Sequence, residues 1–136
     1  MANPDLQLLL GQMLFKGMHA PESLWLGLTT SATFGEMTLA NISERELKAE
    51  GYKRVEMLPR DWSVVKERRG EVQEVRITTL ARIHNPTKEV TWPMVRGAFI
   101  ATTPDNAGLL VAFTAFGESR IALPDDTMQF PIQIEI

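Results

Sequence analysis

Met128, Phe130, Ile132, Ile134 and Ile136 alternate strictly with Gln129, Pro131, Gln133 and Glu135. A strand with one face buried and the other in water satisfies that period of two. Pro131 has no N–H to offer a ladder, so the strand is expected at a sheet edge or with a bulge.

The same pattern recurs upstream, punctuated by turn residues. Leu24, Leu26 and Leu28 alternate with Trp25, Gly27 and Thr29. Lys53 to Leu58 reads as a short strand that Pro59 stops, with Asp61–Trp62 opening the next element. Glu67 to Glu71 is a charged hairpin or loop with Gly70 near its tip. Val75, Ile77, Thr79, Ala81 and Ile83 then share one face. Glu74, Arg76, Thr78, Arg82 and His84 share the other, with Leu80 as the exception. Glu89 to Trp92 is a further short strand before Pro93, and Val95, Gly97, Phe99 and Ala101 make another row. Leu109 to Phe116 is apolar on both faces, which suits a strand covered twice or one at an interface. Asn85–Pro86, Pro104–Asp105–Asn106 and Pro124–Asp125–Asp126 are turns. About eight strands with little helix predict an all-β chain, a sandwich or a barrel.

Two segments break the pattern. Asn3 to Gly17 reads as a helix: Asn3 caps it, Pro4 takes the first position, and Asp5 complements the dipole. Leu6, Leu9, Leu10, Met13 and Leu14 follow helical spacing, and Leu8 and Phe15 widen the apolar surface. Such a helix needs cover on more than one side, from its own domain or from a neighbouring subunit. The chain thus divides into an N-terminal helix or arm, residues 1–20, and a β-sandwich domain, residues 21–136. A second helical turn is expected where Ser43 and Glu46 fit a capping box and Gly51 closes it.

Composition narrows the function. The 136 residues are 44% hydrophobic and 23% charged, enough for a core of ordinary size. A net charge of -3 gives no general attraction to nucleic acid. No basic residue precedes Leu6, which argues against a signal peptide, and the apolar stretch there is too short to span a bilayer. Cysteine is absent, and the two histidines, His19 and His84, lack metal-ligand neighbours. Asp125–Asp126 reads as a solvated turn rather than a calcium site. No nucleophile elbow or phosphate-binding glycine loop occurs. Carboxylate pairs for glycosidase chemistry depend on separation in space, which sequence does not give. No metal, cofactor or catalytic residue is therefore expected. Lys66, Arg68 and Arg69 make a local basic patch, a solvated tip or a contact to an acidic protein surface. Trp25, Trp62 and Trp92 are core or interface residues, or else a sugar-binding face.

The order of short motifs adds a resemblance. Leu24-Trp25-Leu26-Gly27-Leu28-Thr29 is followed by Thr38-Leu39-Ala40-Asn41, Glu50-Gly51-Tyr52-Lys53-Arg54-Val55 and Pro59-Arg60-Asp61-Trp62. Asn85-Pro86-Thr87 leads to Trp92 and Val95-Arg96-Gly97-Ala98-Phe99-Ile100. Gly108-Leu109-Leu110-Val111-Ala112-Phe113 and Leu123-Pro124-Asp125-Asp126-Thr127-Met128-Gln129-Phe130 close the series. Over residues 24–136 the chain resembles small virion structural proteins of tailed bacteriophages, among them capsid cement or decoration proteins with a jelly-roll-like fold. It departs from them at Pro124-Asp125-Asp126, where they have Gly-Asp, and in the Lys66–Gly70 excursion.

The resemblance implies a jelly-roll-like antiparallel β-sandwich with a short N-terminal helix. It implies no enzymatic activity and no cofactor. The partner would be the major capsid protein, clamped on the outer surface of the virion after synthesis in the host cytoplasm. Capsid symmetry suggests a homodimer or homotrimer. The contact surface is expected to include Leu8, Leu9 and Phe15 on the helix, with Lys66, Arg68 and Arg69 at the charged tip. Similar small phage proteins sit on tails or fibres. That leaves a tail-associated, connector or carbohydrate-binding role as the alternative.

Overall fold

Val72–His84 is the longest strand and organises one of two sheets in the computed structural model, which describes residues 3–134. In chain order the elements are α1 (Pro4–Phe15), β1 (Leu24–Thr29), α2 (Leu39–Ser43) and β2 (Val55–Met57). A single 3-10 turn (Pro59–Asp61) follows. The remainder is β3 (Ser63–Arg69), β4 (Val72–His84), β5 (Val95–Ala101), β6 (Leu110–Arg120) and β7 (Thr127–Ile134). One sheet has the order β2-β1-β5-β6 and the other β3-β4-β7. All pairings between strands are antiparallel. The fold is an all-β antiparallel sandwich with a short N-terminal helix, built from seven strands where a full jelly roll has eight.

Rows of alternate residues explain the layers. Leu26 and Leu28 of β1, Ala98 and Ile100 of β5, and Ala81 and Ile83 of β4 belong to one core with Met128, Phe130, Ile132 and Ile134 of β7. The opposite face of the four-stranded sheet is buried too. There Phe99, Ala101 and Leu110 pack with Leu39 and Ile42 of α2. That second cover makes β5 apolar on both faces. The final row alternates buried and exposed as the sequence predicts, up to Ile134; Ile136 lies outside the described residues. β7 is an edge strand, with Pro131 opposite Leu80.

Two expected elements differ. Glu89 to Trp92 is not a strand. Two of its backbone groups bond outside any ladder: Val90 O accepts from Asn85 Nδ2 and Thr87 Oγ1, and Trp92 N–H donates to Ala122 O. Those two groups are thereby taken from a ladder. The expected helical turn sits upstream of its box. Thr38 Oγ1 caps α2 by accepting from Asn41 N–H at 3.3 Å. Ser43 ends that helix, and Glu46 is drawn away to Arg54 and Tyr52.

Arg54 fastens the second layer. Its side chain is almost fully buried and lies over the Phe99 ring, 5.0 Å from the centroid. It donates to both Glu46 carboxylate oxygens, to Asn106 Oδ1, and to the carbonyls of Thr103 and Asp105. Every direction of the guanidinium fork is therefore occupied, which is what a buried charge requires.

The helix is tied on by its first turn. Asn3 Oδ1 accepts from Leu6 N–H, as its capping role predicts, while its Nδ2 donates to Val111 O at 3.0 Å. Asp5 Oδ2 accepts from Leu39 N–H at 2.8 Å and from Leu110 N–H at 2.9 Å. Asp5 thus does more than complement the helix dipole: it joins α1 to α2 and β6. Leu6 and Leu9 rest on the main core, yet no residue of α1 is fully buried.

Candidate interaction surface

Among the described residues, the pairing of β4 with β7 runs as far as Ile77 opposite Ile134. Before Ile77, β4 pairs among the described residues only with β3, so residues 65–76 form a two-stranded ribbon with Ser63 and Val64 at its base. Gly70 lies in its turn with φ +60, where a side chain would be strained. Both faces of the ribbon carry exposed valines: Val64 (67% exposed), Val65, Val72 and Val75 (59%). The sequence places Val75 in the buried row of β4. In the structure its side chain is exposed.

Register assigns each side chain to a face. Val64, Lys66 and Arg68 stand opposite Ile77, Val75 and Gln73, on the side that continues the core-facing row of β4. Val65, Glu67 and Arg69 stand opposite Arg76, Glu74 and Val72 on the outer side. On the outer side Arg76 meets Glu67 at 3.1 Å and Arg69 approaches Glu74 at 4.0 Å. These two diagonal pairs offset the like charges that Glu67 and Glu74 place directly opposite each other.

The six residues expected at a contact surface divide. Lys66, Arg68 and Arg69 are all exposed on the ribbon, but Arg69 faces away from the other two. Leu8 and Phe15 are exposed, Phe15 at 84%. Leu9 is half-buried and packs against the main core, one step round the helix from Leu8. Leu14 and Met18 join Leu8 and Phe15 in the exposed apolar set. The structure therefore presents two patches, one on α1 and one on the ribbon. The exposure of the hairpin valines follows from the β3–β4 pairing and is not carried by residue order, which shows only the charged tip between them.

An open cleft of about 380 Å³ lies between the first turn of α1, β6 and the end of β7, lined chiefly by Leu6, Met37, Val111, Phe113 and Ile134. Among the described residues, no titratable side chain lines it. A second, near Arg54, includes Tyr52, whose hydroxyl accepts from Leu28 N–H and donates to Glu46 Oε2 at 2.6 Å. Burial, reinforced by the Glu46 carboxylate, pushes that phenol far above its ordinary range.

His84 makes a contact that sequence reasoning missed. Its Nδ1 lies 2.8 Å from Thr127 Oγ1 and its Nε2 lies 3.1 Å from Asp125 Oδ1. His84 and Thr127 are far apart in sequence and meet as cross-strand partners. The trio has the connectivity of a hydroxyl–imidazole–carboxylate relay. A relay also needs a substrate pocket and oxyanion donors. His84 and Asp125 stand open on the surface, and neither lines a cleft described above. Their evident role is to close the turn before β7.

The tryptophans do not form one exposed platform. Trp92 is buried, with its Nε1 donating to Glu50 O, and Trp62 packs against the core. Among the described residues, no group of three or more His, Asp or Glu is placed to hold a metal, and no helix is long and apolar enough to cross a membrane. Neither the protein-family models nor the curated proteins compared with this chain give a match.

Proposed function

We propose that this protein is a non-enzymatic virion structural protein, a phage capsid decoration or cement protein that binds the assembled major capsid shell and stabilises it. The observation that carries this reading is the pair of exposed apolar regions on the sandwich. The β3–β4 hairpin exposes four valines, and α1 exposes Leu8, Leu14 and Phe15. Such residues bury little against their own domain, and contiguous exposed apolar surface is a feature of protein contacts. The ordered motifs of residues 24–136, which resemble those of phage decoration proteins, supply the kind of partner.

The physical logic is linkage. A ligand that binds the assembled shell, and not its separated subunits, shifts assembly by mass action. Repetition over a symmetric surface turns a modest contact into avidity. The test is copy number and position in purified virions, by quantitative mass spectrometry and electron microscopy. Hundreds of copies on the head support the reading. A ring of about six or twelve copies at the tail or portal, as cyclic symmetry would impose there, replaces it with a tail-associated role.

A further inference from the structure

The charges of the ribbon are sorted by face. The outer side holds two acids and two cations, and each acid has its cation. The inner side holds Lys66 and Arg68 with Val64, Val75 and the half-buried Ile77, and no acid among the described residues. Lys66 stands opposite Val75 and Arg68 opposite Gln73, so neither faces a carboxylate across the ribbon. Arg68 donates Nε–H to Gly70 O at 3.1 Å, which fixes its stem beside the turn. β3 is also an edge strand, with a neighbour on one side only.

We propose that the inner face and free edge of this ribbon form a docking site for an extended protein segment that alternates acidic and apolar residues. Strand addition to β3 supplies main-chain hydrogen bonds, and alternate side chains of the incoming strand lie on the inner face. Acidic residues there meet Lys66 and Arg68, while the apolar residues that alternate with them fall on the outer side beside Val65. This deepens the shell-binding reading and rests on it for the partner being a protein.

Two other occupants are disfavoured by the same residues. A second copy paired edge to edge over all of β3 sets Lys66 against Lys66, a repulsion that blunts self-association. Nucleic acid gains little from two cations among aliphatic side chains. Residues 63–77 include no aromatic ring for base stacking, and the chain is acidic overall.

The experiment is fluorescence anisotropy of the full chain with a labelled, end-capped synthetic peptide alternating Glu and Val. An alternating Lys–Val peptide and an oligothymidylate serve as competitors for the same assignment. The Glu–Val peptide is expected to bind saturably, and the other two are not. Lys66→Glu with Arg68→Glu should weaken binding by roughly tenfold or more, whereas Arg69→Gln with Arg76→Gln should change it less than about twofold. Equal losses in the two variants, tighter binding of the oligonucleotide, or no saturable binding overturns the proposal. Backbone amide shifts of the unmodified protein give a readout that needs no variant: peptide-induced changes centred on residues 63–77 support the site, and changes centred elsewhere refute it. A failed titration beside hundreds of copies on the head removes this site alone. Intact peptide binding in a protein absent from the head removes only the shell assignment.

Discussion

The Phe99 ring lies against Gly27, closer than a Cβ at that position tolerates, and the two are cross-strand partners in β1 and β5. Phe99 cannot swing away, because it is fully buried and Arg54 covers its face. Gly27→Ala is therefore expected to destabilise the fold by about 3 kcal/mol through overpacking, measured by chemical denaturation. In a Phe99→Leu background the same change should cost distinctly less, since the clash is with the ring. Additive effects in the double variant would show that the strain lies elsewhere.

Asp5 holds two distant backbone groups with one oxygen. Asp5→Ala leaves the N–H groups of Leu39 and Leu110 without their acceptor. The expected loss is about 2–3 kcal/mol, the range for hydrogen bonds to a charged group. Asp5→Asn, which retains a side-chain carbonyl, should lose less. Hydrogen exchange is the direct check: both amides should speed up together in Asp5→Ala. Faster exchange at Leu39 alone would mean that α1 is held to β6 by other contacts.

Adjacent leucines and an exposed phenylalanine separate docking of α1 from binding by it. Leu9→Ala should cost about 1–2 kcal/mol, below the full core range because the side chain is only partly buried. Phe15→Ala should leave stability within about 0.5 kcal/mol while lowering occupancy on purified shells. Thermal unfolding of the free protein and a pelleting assay with shells give the two readouts. A destabilised Phe15→Ala protein would place that ring in the fold rather than in a contact.

Much of this architecture was legible in residue order. The last strand could be read almost residue by residue, because one face meets the core and the other meets water. Asn3 and Pro4 marked the start of α1 through chemistry confined to one turn. What sequence did not carry depends on partners distant along the chain. Glu46 fits a capping box locally, but Arg54 and Tyr52 claim it. Glu89 to Trp92 has strand character, but Asn85 and Ala122 take two of its backbone groups from a ladder. Of the contact surface, the basic tip was visible and the sorting of its charges was not. Which face Lys66 shares, and with which residues, follows from the β3–β4 register.

The indole N–H groups of Trp62 and Trp92 make opposite predictions. Trp92 Nε1 donates to Glu50 O at 2.9 Å, whereas Trp62 Nε1 is buried and meets no acceptor among the described residues. Trp92→Phe removes a satisfied hydrogen bond and leaves space in the core, for a loss of about 3 kcal/mol. Trp62→Phe removes an unsatisfied donor along with some packing, and these offset to within about 1 kcal/mol. Comparison of the two unfolding curves is the check. A large loss for Trp62→Phe would mean that its N–H has a partner in solution.

Tyr52 makes stability depend on alkaline pH. Burial first, then the charge and hydrogen bond of Glu46, raise its folded pKa well above the ordinary value near 10; Leu28 N–H and Arg54 oppose this more weakly. A raised folded pKa means that the contribution is fully present below the unfolded value and is lost as pH climbs. The unfolded chain gives up its phenolic proton near pH 10 while the native chain keeps it. Above that pH stability should fall by about 1.4 kcal/mol per pH unit from this group. Tyr52 is the sole tyrosine, so near-ultraviolet phenolate absorbance reports it without overlap from another phenol. That absorbance should rise only together with loss of tertiary circular dichroism. Tyr52→Phe should be less stable at neutral pH by about 1–3 kcal/mol, because Leu28 N–H and Glu46 lose their partner. The variant should also show a shallower alkaline decline. Titration of the phenol near pH 10 in a still-folded protein would show that its hydroxyl is open to water.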